Sequence, residues 1–274
     1  MRKILLAVNP LHPGRHAIDF AAYLGRFTRS KVTAISLEYS PYLERATNTS
    51  VLRPVKDMEL SDEIDVEKVI KENISSLKEA FAARDTGLYV HRDRTAPVAA
   101  LIKESRFADA LVIDPATSFK EIADKSVSDL TRKLLAGSEC PVILSPASFE
   151  GIDQLIFIYD GSNACMQAFK QFTNLFPGYS NKMVTVIQSN DLGEWRCHET
   201  HHLKEWMQTR YSNIHFAAVK GESMSGLPKY LGGKDNLFII TGAYTHSSIA
   251  ALFRLQIAEM LVKCTSHAVF VANR

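Results

Sequence analysis

The chain lacks the marks of several functional classes. It has no CxxC pair, and its four cysteines, Cys140, Cys165, Cys197 and Cys264, are scattered through 274 residues. That spacing gives neither a disulfide framework nor a structural zinc site, and it fits reduced thiols acting as small buried side chains. No apolar run approaches the ~18 residues of a membrane span, and the apolar stretch after Met1-Arg-Lys stops at Asn9-Pro10, too short for a signal-peptide core. A cytoplasmic protein without a membrane partner is expected. Net charge is only +2, with no basic stripe to hold a phosphate backbone, so nucleic acid is not the expected partner either. The GxSxG turn of serine hydrolases is also absent.

What the chain does have is a repeat. In the first half, Ala110-Leu-Val-Ile-Asp114 leads through a helical stretch to Pro141-Val-Ile-Leu-Ser145; in the second, Leu237-Phe-Ile-Ile-Thr-Gly242 leads through another to Ala268-Val-Phe-Val271. A duplication of this kind decides the architecture before any local motif is weighed. Hydrophobic residues make up 46% of the chain and charged residues 23%, enough apolar material for two ordinary cores. The two copies are residues 1–150 and 151–274, with the boundary at Gly151-Ile-Asp153.

Each copy alternates strands with helices. The unbroken apolar run from Lys3 to Asn9 reads as a strand buried on both faces of a parallel sheet. Ala17, Ile18, Ala21, Ala22 and Gly25 follow with helical spacing, and Val32 to Leu37 reads as a second strand. Ser40 to Leu60, rich in Ser, Thr, Asn and Pro, reads as a long surface loop. From Asp62 an amphipathic helix is expected, with Val66, Val69, Ile70, Ile74, Leu77 and Phe81 on one face and Glu67 placed to pair with Lys71. A strand at Leu88 to His91 and a helix at Pro97 to Ser105 complete the unit. The second copy gives strands at Gln154 to Tyr159, Met183 to Gln188 and Ile214 to Val219. Its helices fall at Ser162 to Phe176, Glu194 to Tyr211 and, among glycines, Leu227 to Leu231. Such alternation specifies α/β architecture, here two doubly wound five-stranded parallel sheets with ligands expected at the carboxyl ends of the strands.

Two segments of the second copy carry a family resemblance. Tyr159-Asp160-Gly161-Ser162 is similar to the Val-Asp-Gly-Ser turn of the universal stress protein family. The segment from Thr241 through Cys264 can be laid without a gap on that family's pattern of Gly, two residues, Gly, nine residues, Gly-Ser and a helix. The resemblance spans essentially the whole chain, in the family's tandem form. It implies an adenine nucleotide alpha hydrolase-like fold, and a non-enzymatic stress-response module whose halves pair through their last strands. It also implies a homodimer or another protein as partner.

The same resemblance implies that Asp160, Gly161, Ser162, Gly242 and Thr245 are the residues to contact an adenine nucleotide. In the ATP-binding branch of the family, glycines let backbone amides cradle the phosphates. Here Gly242 stands at the first glycine, but Thr245 replaces the second, and Leu255 with Gln256 replaces the closing Gly-Ser. The first copy departs further: Asn9-Pro10 stands for Asp-Gly, Asp114 for the first glycine and Thr117 for the second, with only Ser126 or Ser128 to supply the last hydroxyl. Asp114 would repel a triphosphate. No cofactor is therefore expected, and ATP or AMP is admitted only in the second copy, as a sensor with little or no hydrolysis.

Other motifs have plainer readings. Ser162 suits a helix N-cap as well as a ligand turn. His198-Glu199-Thr200-His201-His202 satisfies the HExxH pattern of zinc hydrolases, in which histidines four apart share a helix face. Zincins need a third ligand, and Glu222 is the only loosely suitable one downstream. A solvated, His-rich helix face is the better reading, with adventitious metal binding by Cys197, His198, His201 and His202 ahead of a catalytic ion. Trp195 and Trp206 fall on one face of that expected helix and suit core or interface packing better than base stacking.

Overall fold

A computed structural model of the chain describes residues 3–38, 60–119, 127–190, 195, 200–220, 226–242 and 267–272. In the first half the elements are β1 (Lys3–Val8), α1 (Arg15–Thr28), β2 (Lys31–Leu37), α2 (Leu60–Ala82), β3 (Leu88–Asp93), α3 (Pro97–Ser105), β4 (Ala110–Ile113), α4 (Asp129–Gly137) and β5 (Val142–Leu144). The second half gives β6 (Gln154–Ile158), α5 (Asn163–Leu175), β7 (Met183–Asn190), α6 (Thr200–Gln208), β8 (Asn213–Lys220), α7 (Leu227–Leu231), β9 (Leu237–Gly242) and β10 (Ala268–Ala272). The loop expected between Ser40 and Leu60 lies, up to residue 59, outside the described residues.

Among the described residues ten strands form one sheet in the order β3-β2-β1-β4-β5-β10-β9-β6-β7-β8. Read outward from the centre, both halves have the same order, as a tandem repeat requires. Every neighbouring pair is parallel except the central one, in which β5 and β10 run antiparallel with Ile143 opposite Phe270. The last strand of each half therefore covers the other's open edge, which removes two apolar edges that would otherwise invite association.

The inner strands are buried on both faces, whereas the edge strands β3 and β8 are partly exposed, and alternate residues face different helix layers. Leu6 and Val8 of β1 belong to the core layer that α1, α2, α5 and α6 cover, whereas Leu5 and Ala7 belong to the layer that α3, α4 and α7 cover. Both layers run through both halves. On the first face the junction is aromatic: Phe20 and Tyr23 of α1 pack on Phe149, and Phe27 stacks on Tyr179 at a centroid separation of 4.2 Å.

Tyr23 and Tyr179 share a hydroxyl hydrogen bond of 3.1 Å at this junction. Burial raises both phenols above their ordinary value and pushes that of Tyr211 up to about 12. The folded chain thus keeps protons that the unfolded chain releases near pH ~10. Stability from these groups is complete below that pH and is lost as pH rises through the folded-state values. The urea midpoint should fall steadily above pH ~10, and less steeply in Tyr179→Phe; a flat profile would contradict this assignment.

Helix α2 departs from its expected face. Ile70, Leu77 and Phe81 are buried, but Val66 and Val69 are 43% and 41% exposed. Asn73 Nδ2 donates to Pro10 O, beyond the carboxyl end of β1, so the earlier turns of this antiparallel crossover helix run past the sheet. Glu67 meets Lys71 at 3.7 Å as its spacing implies, and it also accepts from Arg92 of β3, which pins the overhanging helix to the sheet edge.

Candidate functional site

In a doubly wound sheet the crevice for a ligand opens where crossovers leave in opposite directions, here between β6 and β9 in the second half and between β1 and β4 in the first. In the second half, Asp160 lies two residues past the end of β6. Its Oδ1 accepts from Ser162 N at 2.8 Å, closing an Asx turn, and Gly161 takes φ +84°, a conformation that costs a side chain dearly. Ser162 is the N-cap of α5, its Oγ accepting from Cys165 N at 3.2 Å. The N-cap reading of Ser162 is therefore observed.

Gly242 ends β9 against the first turn of α5. A Cβ there would lie 2.5 Å from Cys165 N and 2.6 Å from both the carbonyl carbon and oxygen of Ala164. The fold thus brings Asp160, Gly161, Ser162 and Gly242 together around one helix start. Asp160 Oδ2 is buried and, among the described residues, no N–H or O–H group donates to it. The Cys165 thiol beside it is pushed up to about 12, first by burial and then by the Asp160 carboxylate. Burial likewise pushes Cys140 up to about 11. Neither thiol is a nucleophile at neutral pH.

In the first half, Asn9 bridges the crevice. Its Nδ2 donates to Ser118 O at 2.8 Å and its Oδ1 accepts from Leu11 N at 3.0 Å. Asp114 Oδ1 accepts from Ala116 N at 2.8 Å, while its Oδ2 lies against Gly14, the N-cap of α1. Thr117 N donates to Asp114 O, and Ser128 caps α4 by accepting from Thr131 N.

No family model and no curated protein matches the chain. Among solved structures, a universal stress protein from Archaeoglobus fulgidus superposes with a TM-score of 0.70 at 16% identity, over 100% of this chain and 96% of that one. The chain has the universal stress protein fold. A Pseudomonas aeruginosa protein of unknown function gives a TM-score of 0.60 at 12% identity, over 99% of this chain and 92% of its own. Another from the same organism, provisionally assigned as a universal stress protein, gives 0.61 at 12%, over 99% and 93%.

Several sequence candidates fall elsewhere. Thr245, Leu255 and Gln256 lie outside the described residues, as do Ser126, Cys197, His198, Glu199, Glu222 and Cys264. His202 lies on α6 with its ring 3.8 Å from that of His201. Trp195 is not helical, contrary to the expected start at Glu194. It stacks on Tyr159 at 6.4 Å, meets Phe216 edge-on, and donates from its indole N–H to Thr200 Oγ1 at the first residue of α6. Those contacts hold the ring on the core beneath it, so the expected shared helix face with Trp206 does not form. Among the described residues no helix is long and apolar enough to cross a membrane, and no group of three or more His, Cys, Asp or Glu could hold a metal ion.

Proposed function

We propose that residues 1–150 and 151–274 are two universal stress protein domains on one chain, and that the protein is a non-enzymatic, cytosolic module of the stress response that does not bind ATP in the usual way. It acts by binding, with a second copy or another protein as its partner. The observation that carries this reading is Asp114. Its carboxylate sits at the N-terminal end of α1, where the positive end of the helix would otherwise attract a phosphate.

A second reading, an adenine-nucleotide sensor in the second half, is favoured by one observation. A buried carboxylate oxygen to which no N–H or O–H group of the described residues donates is costly, and a hydroxyl or N–H group of a nucleoside would satisfy Asp160 Oδ2 better than the weak thiol donor beside it. Asp160, Gly161, Ser162 and Gly242 fit such a group, with Asp160 as the acceptor.

Calorimetry separates the two readings. The native chain should bind ATP weakly or not at all, and Thr245→Gly with Leu255→Gly and Gln256→Ser should improve affinity by admitting phosphates to backbone donors. Asp160→Ala should abolish that gain. Micromolar or tighter ATP binding by the native chain would favour the sensor instead.

A further inference from the structure

The two halves solve the same packing problem in opposite ways. Ile4 pairs with Ala110 in the first half and Leu155 with Phe238 in the second, so counting along the strands makes Asn9 the counterpart of Asp160 and Asp114 the counterpart of Gly242. In each half the end of the fourth strand presses on the start of the first helix, and each contact contains a glycine. In the second half it is on the strand: Gly242 presses on the backbone of Ala164 and Cys165, in the helix turn that Ser162 caps. In the first half it is on the helix: Gly14 is an N-cap with no side chain, and a Cβ there would lie 2.6 Å from Asp114 Oδ2.

We propose that the first-half crevice is closed by its own side chains, with the Asp114 carboxylate seated on the start of α1 as an internal anion, so that of the two strand-end crevices only the one in the second half can take a nucleotide. The first turn of α1 has no acidic residue of its own, and Asp114 supplies that charge from across the crevice. Asn9 is the independent observation. Buried at 7% exposure, it spends its amide on Ser118 O and its carbonyl oxygen on Leu11 N, tying the end of β1 to the loop after β4. That loop is further held by Ala116 N on Asp114 Oδ1 and by Ser128 N on Pro115 O. Asp160, the counterpart of Asn9, keeps one oxygen to which no N–H or O–H group of the described residues donates. The closure stands on geometry alone, and only the nucleotide count rests on the sensor reading above.

Exchanging the pair tests the closure. Gly14→Ser should lower the melting temperature of the native chain by a few degrees, because the new Cβ meets Asp114. In an Asp114→Gly background the same substitution should raise it, because the serine can then cap α1 as Ser162 caps α5. Asp114→Ala, whose Cβ stays 3.3 Å from the added one, serves as background if Asp114→Gly does not fold. Equal losses in both backgrounds would overturn the closure. AMP calorimetry tests the count: Asp160→Ala should leave no AMP binding, and residual binding in that variant would place a ligand in the first half. If the native chain binds no AMP, the sensor reading fails and the exchange cycle still decides the closure.

Discussion

Gly242→Ala is expected to destabilise the chain by about 3 kcal/mol, the upper part of the usual range for an overpacked site. The added carbon would lie 2.5–2.6 Å from backbone atoms of Ala164 and Cys165, and no rotamer change can move backbone aside. Relief requires α5 to lift from β9. That helix carries Cys165, Ala168, Phe169 and Phe172 into the core, so lifting it loosens packing along its length. Urea denaturation measures the loss directly; a change within about 0.5 kcal/mol, typical of an unconstrained surface position, would show that the strand end does not press on the helix. This stability effect precedes any ligand, so Gly242 has a packing role whether or not a nucleotide binds beside it.

Local patterns made most of the fold legible. Continuous apolar runs marked strands buried on both faces, Pro97 opened α3 where a first-turn proline should, and Ser162 read as a cap because its side chain has one local task. Periodicity identified the inward face of α2, but it carries no information on where the sheet stops, and Val66 and Val69 lie past that point. Trp195 was misplaced because an apolar aromatic near a helix start fits the helical period equally well when it caps a core from outside.

The candidate site was legible only one residue at a time. Asp114 was visible as a missing glycine, yet its compensation, Gly14, looks like an ordinary loop glycine after Pro13. Only the fold makes them neighbours. Asn9 was visible as a lost carboxylate, but its use as a bridge depends on Ser118, far along the chain. Substitutions that appear as decay of a motif in sequence can therefore be matched sets in space, and an altered residue should be judged with the neighbour it touches.

The same spatial reasoning applies to the seam between the halves, where Phe172→Ala should be the most damaging single truncation. Phe172 is fully buried on α5 and packs edge-on against Phe238 of β9 at 5.0 Å and Phe270 of β10 at 5.3 Å. It also meets Phe176 at 5.0 Å and lies nearly parallel to Tyr179, which in turn stacks on Phe27 of the first half. Removing a buried phenylalanine ring costs roughly 3–5 kcal/mol, a large share of the ~5–15 kcal/mol that ordinarily holds a domain folded. Because both core layers and the β5–β10 pair run through the junction, the loss should be felt by the whole chain. Denaturant unfolding of Phe172→Ala followed by Trp fluorescence, which reports on the second half, and by circular dichroism, which reports on both, should give one coincident transition at a lower midpoint. Two separated transitions would mean that the first half stays folded without its partner and that the seam joins the halves without making them one cooperative unit.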